Sequence, residues 1–468
     1  MSFVFYDTET TGTDTSFDQI LQFAAIRTDA DLNELERFEI RCQLLPYIVP
    51  SPSAMRVTGV EAARLIDPSL PTHYEMIRTI REKLLSWSPA MFLGYNSLKF
   101  DEHLFRQALY KTLHPPYLTN SSGNSRSDIL TMVQAASLFV PDALIIPTGD
   151  MGKPIFKLDK VAPANGFNHE HAHDALADVE ATIFLCRLLV DRAPELWSTF
   201  MRFSQKAAVS GYVIDERIFC LADFYFGSPY AWLVTHLGSN TENSSEFYVY
   251  DLAVPPDSLA GLSDGQLADR LLQLPKPIRR LKSNTSPILM PMEDAPAIAK
   301  ATTLGSDELE RRVVFLETTP GLRERLIAVF QSTRQEKQPS PHVEAQLYDG
   351  FFSQADLKLC EAFHAVPWPE RIAIVDKLED SRLKHMGLRL IYCEQPHLFP
   401  EQAYRNYNLA LARRILGADA TSPWLSVPKA RQEIEGFLSN CAAEDAIFLQ
   451  EHLAYLSERF QWATEMLK

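Results

Sequence analysis

Short apolar runs separated by polar turns characterise the first part of the chain. Short, mainly apolar runs cover positions 3–6 and 21–26, and 91–96 is a third strand candidate. Runs of this length, bounded by turn residues, are typical of buried strands. Apolar residues at helical spacing follow over 101–110 and 175–190, so both segments are predicted to be helices. A strand that leads into a helix indicates an α/β domain.

The pattern changes after Ala193-Pro194, and two further domains are predicted. Apolar segments flank a polar stretch at 238–241 like the strands of a hairpin, which indicates a β-containing domain. A polar, proline-containing segment from Gln331 to His342 is typical of a linker, and after it glycine becomes scarce and helical spacing dominates. The predicted domains therefore cover 1–195 (α/β), 196–340 (β-containing) and 343–468 (all-helical).

Composition narrows the class of protein. The chain has 468 residues, enough for about three domains, and its 46% hydrophobic and 22% charged residues are typical of a soluble folded protein. The formal net charge of -15 argues against indiscriminate binding to nucleic acid or an anionic membrane, so a polyanionic partner needs a local basic patch or metal ions. The six cysteines show no metal or redox spacing, and no signal peptide or membrane span is evident, so a cytoplasmic protein is expected.

Candidate chemistry begins at Asp7-Thr8-Glu9, at the end of the first strand. Alternate residues of a strand point to one face, so the two carboxylates project together. Hard oxygen ligands of this kind suit Mg²⁺ or Mn²⁺. A solvated strand end is the alternative interpretation of this motif.

Two later motifs carry further carboxylates. Asp101 lies just past the third strand, at a predicted helix start, where the helix dipole also favours an acidic residue. Asp178 lies in the first turns of the last helix of the domain, and His173 is expected to reach the site from the loop before it. His169 and His171 are interpreted as exposed, and a zinc site lacks further ligands at the right spacing.

In this order the motifs resemble the DEDDh 3′-to-5′ exonuclease superfamily, which implies an RNase H-like fold for the first domain. The segments Asp7 to Gly12, Asn96 to Asp101 and His173 to Asp178 match its three exonuclease motifs. The chain also resembles the bacterial exonuclease I family, single-strand-specific deoxyribonucleases, through Leu93 to Asn96 and Ala345 to Phe352. That family implies a small β-barrel-like (SH3-like) DNA-binding middle domain and a helical C-terminal domain around the strand.

The resemblance also implies the chemistry. Asp7, Glu9, Asp101 and Asp178 would hold two Mg²⁺ ions, with Mn²⁺ tolerated, and His173 would act as general base. Single-stranded DNA would be degraded from its 3′ end to 5′-mononucleotides, in DNA repair and recombination. The family further implies binding of the acidic C-terminal tail of single-stranded DNA-binding protein, for which Arg311, Arg312, Arg323 and Arg325 are candidates, and we expect a monomer.

Substrate contacts outside the metal site are predicted from two sources. The resemblance assigns Glu9 and Lys157 to the substrate and Arg106, Tyr117 and Lys206 to the DNA. The segment 270–292 has no carboxylate but several basic residues, so its Arg279, Arg280 and Lys282 are expected to follow the phosphates. A solvated charged face is the alternative for this segment, and a packed loop aromatic is the alternative for Tyr117.

Three other functions compete with this hypothesis. A ribonuclease with the same site is disfavoured by the two additional domains. An aspartyl phosphatase is disfavoured because the second carboxylate of its motif would be Asp, whereas here it is Glu9. A DNA clamp without activity has no support, because all five active-site residues are present.

Overall fold

A computed structural model describes residues 2–168, 174–334, 338–419 and 421–468. The chain begins with an α/β domain, continues through an antiparallel sheet flanked by helices, and ends in a helical domain. The predicted fold classes of the first and third domains are thus confirmed. None of the helices in the described part of the chain has the length and apolar composition that a membrane span requires.

The first domain is built on a mixed five-stranded sheet. Its strands are β1 (Phe3–Thr10), β2 (Ile20–Thr28), β3 (Glu34–Arg41), β4 (Met91–Gly94) and β5 (Ser125–Asp128). Its helices are α1 (Pro52–Thr58), α2 (Ala62–Leu65), α3 (His73–Trp87), α4 (Asp101–Lys111), α5 (Ile129–Phe139), α6 (Leu158–Ala164) and α7 (Ala175–Arg192). The strand order is β3-β2-β1-β4-β5, with β1, β4 and β5 parallel and β2 and β3 antiparallel to their neighbours.

Both faces of this sheet are covered, which explains why Phe3 to Tyr6 of β1 and all of β4 are apolar. Phe3 and Phe5 of β1 pack on the face that carries α5, α6 and α7. Val4 and Tyr6, on the opposite face, pack with α3 and α4. The polar residues at the carboxyl end of β1 therefore emerge between two layers of helices.

The middle part contains a second five-stranded sheet. Its strands are β6 (Phe219–Tyr225), β7 (Ser228–Ser239), β8 (Glu246–Asp251), β9 (Ile278–Lys282) and β10 (Ile288–Pro291). The helices around it are α8 (Pro194–Phe203), α9 (Lys206–Asp215), α10 (Asp257–Ala260), α11 (Asp264–Leu272), α12 (Ser306–Thr318) and α13 (Leu322–Ser332). The predicted hairpin is confirmed as β7 and β8. The order β10-β6-β7-β8-β9 leaves β10 and β9 at the edges of an open sheet, and the barrel-like closure stays a prediction.

The last part is helical throughout its described residues. Its helices are α14 (Gln354–Ala365), α15 (Trp368–Val375), α16 (Ser381–Glu394), α17 (Glu401–Leu416), α18 (Val427–Leu438) and α19 (Ala443–Met466). Short 3-10 helices along the chain cover Leu118–Asn120, Asp150–Gly152, Met292–Asp294, Lys300–Thr303, Val343–Gln346 and Pro396–Leu398. Two apolar clusters join this domain to the first one, one around α1 and α2 and one around the end of α4.

A buried carboxylate reinforces this domain contact. Glu344 is 2% exposed and accepts hydrogen bonds from Arg389 at 2.5 Å and Arg414 at 2.7 Å. Both guanidinium groups also lie over the ring of Tyr47, which belongs to the first domain. Those two cations hold the pKa of Glu344 well below its usual range in spite of its burial.

A pair of stacked histidines lies in the same contact. The rings of His114, after α4, and His364, in α14, are 3.8 Å apart between centroids. His364 bonds the carbonyl of Leu113 through Nε2, so this nitrogen carries the proton and Nδ1 accepts from the Tyr74 hydroxyl. Burial lowers the pKa of His114 to about 2 and that of His364 to about 4.

Acid is therefore expected to weaken the contact between these two domains. Both histidines stay neutral when folded but take up protons near pH 6.5 when unfolded, so their contribution is complete above pH 6.5 and is lost as the pH falls, down to about 4 for His364 and about 2 for His114. At pH 5 each ring should cost roughly 2 kcal/mol. Melting His114→Leu and the wild type at pH 7 and pH 5 tests this, because the variant should lose less stability on acidification. An equal loss in both proteins would contradict it.

Candidate active site

The carboxyl end of β1 carries a group of converging carboxylates. Asp7 and Glu9 alternate along the strand, so both face α7, and Asp178 meets them from the first turn of that helix. One oxygen from each of the three lies within 4.8 Å of the others. The predicted convergence of these three residues is thus found in the structure.

Asp101 joins this group from the other side of the strand. It is 3% exposed at the start of α4, and its Oδ1 accepts a hydrogen bond of 2.5 Å from the hydroxyl of Thr8. Of the charges that raise the pKa of Asp7, Asp101 has the largest effect. The charge of Asp101 therefore acts on the same group of carboxylates, from the edge of that group.

Burial and mutual repulsion make Asp7, Glu9 and Asp101 unusually hard to ionise. Burial raises the pKa of Glu9 to about 9, with further increases from the charges of Asp178 and Asp101. Burial also raises the pKa of Asp101 to about 7 and that of Asp7 well above its usual range. A cluster of buried and half-buried acids in mutual repulsion needs a cation, and oxygen ligands alone suit a hard divalent metal. The residues present therefore fit the metal ions expected from the sequence.

A second set of polar residues fixes the helix that carries Asp178. Glu9, Gln22 and Arg41 lie at paired positions of β1, β2 and β3, so their side chains share one face of the sheet. Gln22 and Arg41 bond Oδ2 of Asp174 at 3.0 and 2.7 Å. Asp174 in turn caps α7 by accepting from the amides of the helix's first turn. This network sets where Asp178 lies, and the charge of Arg41 offsets a small part of the rise in the pKa of Glu9.

The loop that leads from β4 to Asp101 is fixed by a residue that the sequence analysis did not single out. Asp128, at the end of β5, is buried and accepts from the amides of Asn96 at 2.9 Å and Leu98 at 3.0 Å. It also caps α5. Gly94 is required beside this loop, since a Cβ there would lie 2.7 Å from the carbonyl oxygen of Tyr6. The position of Asp128, just before an apolar helical run, was the available signal.

Glu102 forms a buried ionic network directly after Asp101. It is 1% exposed and accepts hydrogen bonds of 2.7 Å from both Arg106 and Arg126. Thr119 donates to the same carboxylate at 2.7 Å, and so does Tyr6, from the sheet, at 3.2 Å. The start of α4 is thus bound to the sheet and to the loop before β5.

The predicted contacts with DNA have different environments. Arg106, besides its bond to Glu102, lies 5.0 Å from the ring of Tyr117, so the structure brings these two together. Lys157 is exposed at the start of α6, and Lys206 is exposed and bonds Ser244. His173, the predicted general base, lies outside the described residues.

The three predicted basic residues of β9 are not equivalent. Arg280 and Lys282 are exposed at alternate positions of the strand. Arg279 lies on the other side, where it pairs with Asp251 at 3.3 Å and stacks on the ring of Trp232 at 3.6 Å. Arg280 and Lys282 are therefore the more accessible of the three.

Comparison with known proteins gives consistent matches along the chain. Residues 4–185 match the Exonuclease family and residues 341–465 match the Exonuclease I C-terminal domain. Exodeoxyribonuclease I of Escherichia coli K12 is 31% identical over 376 residues, which cover 76% of this chain and 77% of that protein.

Solved structures with the same fold cover nearly the whole chain. A moderately thermophilic exonuclease I from Methylocaldum szegediense is 25% identical with a TM-score of 0.85, over 98% of this chain and 99% of that one. The zinc-bound complex of the E. coli enzyme with single-stranded DNA is also 25% identical, with a TM-score of 0.81, over 100% of this chain and 99% of that one.

Proposed function

The chain belongs to the exodeoxyribonuclease I family and is a 3′-to-5′ exonuclease of single-stranded DNA, and we propose that it releases 5′-mononucleotides by two-metal hydrolysis. The observation that carries this proposal is the convergence of the Asp7, Glu9 and Asp178 carboxylates at the carboxyl end of β1. Acids that converge and repel one another in this way favour bound divalent cations over a metal-free mechanism.

Asp7, Glu9, Asp178 and Asp101 would hold two Mg²⁺ ions, and Mn²⁺ is expected to replace them. Bound there, such ions acidify the attacking water and stabilise negative charge on the leaving 3′-oxygen. His173, just before α7, would take the proton of the water, because imidazole titrates near neutral pH. Glu9 and Lys157 would contact the terminal nucleotide.

The single-stranded DNA is proposed to continue from the metal site over basic residues of the first and middle domains. Arg106 and Tyr117 would contact it beside α4, and Lys206, Arg279, Arg280 and Lys282 would contact it farther from the end. The exposure of Arg280, Lys282 and Lys206 supports this assignment. Phosphate contacts of this kind bind any sequence and weaken as salt rises.

We infer the cellular role from the resemblance to the family. A cytoplasmic, monomeric enzyme of DNA repair and recombination, which binds the C-terminal tail of single-stranded DNA-binding protein, is the proposal that fits this substrate. The candidate arginines for that tail are already engaged within the chain: Arg311 and Arg312 bind Glu308, Arg323 binds the carbonyls of β7, and Arg325 binds Asp264. A tail carboxylate would have to compete with these contacts.

The proposal is tested with 5′-labelled oligonucleotides. Single-stranded DNA, the same sequence as duplex, and the same sequence as RNA are incubated with Mg²⁺ or with EDTA. The single strand alone should shorten stepwise from its 3′ end, and only with the metal, while 5′-mononucleotides accumulate. Degradation of RNA with the DNA left intact would overturn the substrate assignment, and cleavage in EDTA would overturn the metal mechanism.

A further inference from the structure

A row of aromatic side chains crosses one face of the middle sheet. Tyr225, at the end of β6, and Tyr230 and Trp232, on β7, belong to paired positions that point to the same side. The rings of Tyr225 and Tyr230 are 5.4 Å apart, and those of Tyr230 and Trp232 are 6.1 Å apart and nearly parallel, at 11°. We call these three residues the aromatic row.

The side chains of the aromatic row are partly exposed to solvent. Tyr225 is 49% exposed, Tyr230 is 45% exposed and Trp232 is half-buried. The guanidinium of Arg279 lies 3.6 Å from the ring centre of Trp232, which holds that indole in place. Adjacent large rings left in contact with water indicate a binding surface.

The aromatic row borders a groove between the first and middle domains. Tyr225 and Trp232 line this groove, whose volume is about 700 Å³. Its other walls include Lys99, Arg280 and Lys282, which form no ion pair within the described part of the chain. Asp223 is an acidic residue in the same lining, and the excess of cations over acids favours an anionic ligand.

The groove also leads toward the catalytic carboxylates. Lys99 belongs to the loop that ends at Asp101, so one wall of the groove is continuous with the metal site. On the opposite wall, the hydroxyl of Ser286 bonds the carbonyl of Arg126 at 3.0 Å, which fixes the middle sheet against β5. A ligand in this groove would therefore lie at a fixed position relative to the site of cleavage.

We propose that the aromatic row is a stacking platform for bases of the single strand upstream of its 3′ end, in a groove whose cationic lining attracts the phosphates. This inference rests on the proposed function, and it adds a surface that would hold the bases of the DNA. Rings that stack on bases and cations that follow the backbone together bind single strands without sequence preference. Duplex DNA has its bases already stacked and paired, so the aromatic row also selects against it.

The test separates stacking from charge. Binding of an oligothymidylate of roughly 16 nucleotides is measured by fluorescence anisotropy in EDTA, over a range of salt concentrations. Tyr230→Ala should raise Kd about tenfold at every salt concentration, with the slope of log Kd against log salt unchanged. Lys282→Gln should instead reduce that slope, by about the amount that one phosphate contact contributes to it. Tyr230→Trp should keep the wild-type affinity, which excludes a folding defect.

Tyr404→Ala is the matched control, because this tyrosine of α17 is similarly exposed, at 43%, but lies in the helical domain. It should leave Kd unchanged. Cleavage of a dinucleotide, too short to reach the groove, should be the same in Tyr230→Ala and in the wild type. An unchanged Kd in Tyr230→Ala, or an equal loss on the dinucleotide, would overturn the stacking platform. Failure of the wild type to cleave any single-stranded DNA would instead overturn the proposed function.

Discussion

Replacing Asp178 with Asn is expected to lower kcat on single-stranded DNA by roughly 10³-fold, because it removes a charged oxygen from the proposed metal site. Its carboxylate converges with those of Asp7 and Glu9 within 4.8 Å. An amide keeps the shape of the side chain but supplies neither the negative charge nor a second strong oxygen ligand. The affinity for DNA in EDTA should stay the same or rise, since a charge that repels phosphate has been removed.

Single-turnover cleavage with increasing Mg²⁺, together with calorimetry of Mn²⁺ binding, checks this prediction. Weaker metal binding should accompany the loss of rate. Asp191→Asn is the matched control, because Asp191 is an exposed aspartate at the other end of the same helix. It should bind metal and cleave like the wild type. Near-normal cleavage by Asp178→Asn at high Mg²⁺ would contradict the assignment of Asp178 as a metal ligand.

Replacing Glu102 with Ala is expected to destabilise the first domain by about 3–5 kcal/mol. The change leaves the guanidinium groups of Arg106 and Arg126, which are 12% and 10% exposed, without their shared carboxylate. Two nearby buried cations without a partner cost more than the loss of the hydrogen bonds alone. Because Glu102 directly follows Asp101, cleavage should fall as well.

Thermal melting and hydrogen exchange in α4 measure this effect. The melting temperature of the first domain should fall by on the order of 10 °C, and the amide hydrogens in the first turns of α4 should exchange faster. Glu82→Ala is the control, since Glu82 forms an exposed ion pair with Arg78 at 3.9 Å. Pairs of that kind contribute about 0–1 kcal/mol, so the control should melt like the wild type. Equal melting of Glu102→Ala and the control would show that the buried network contributes little.

The elements that hold the catalytic carboxylates could be predicted from the sequence. The alternation of a strand places Asp7 and Glu9 on one face, and helical spacing located α4 and α7, which begin at Asp101 and Ala175. The change in pattern after Ala193 also anticipated the β-containing middle part. These signals are local, because they depend on period and on the residues at helix ends.

Local pattern did not reveal the residues that orient the site. Arg41 is 133 residues from Asp174, and Asp128 is about 30 residues from the amides that it binds. Arg279 was expected to contact phosphates together with Arg280, yet neighbouring residues of a strand point to opposite faces, and here one of them pairs with Asp251. Only the folded chain shows which face meets another layer.

The sequence by itself thus determined the α/β, β-containing and helical order of the chain and pointed to the acidic residues of the proposed active site. The tertiary structure decided how strongly those acids repel one another, which polar residues hold α7 and the loop before α4, and where aromatic rings border a basic groove. The physical reason is that period and helix capping act over a few residues. Burial, desolvation and ion pairing depend instead on residues that only folding brings together.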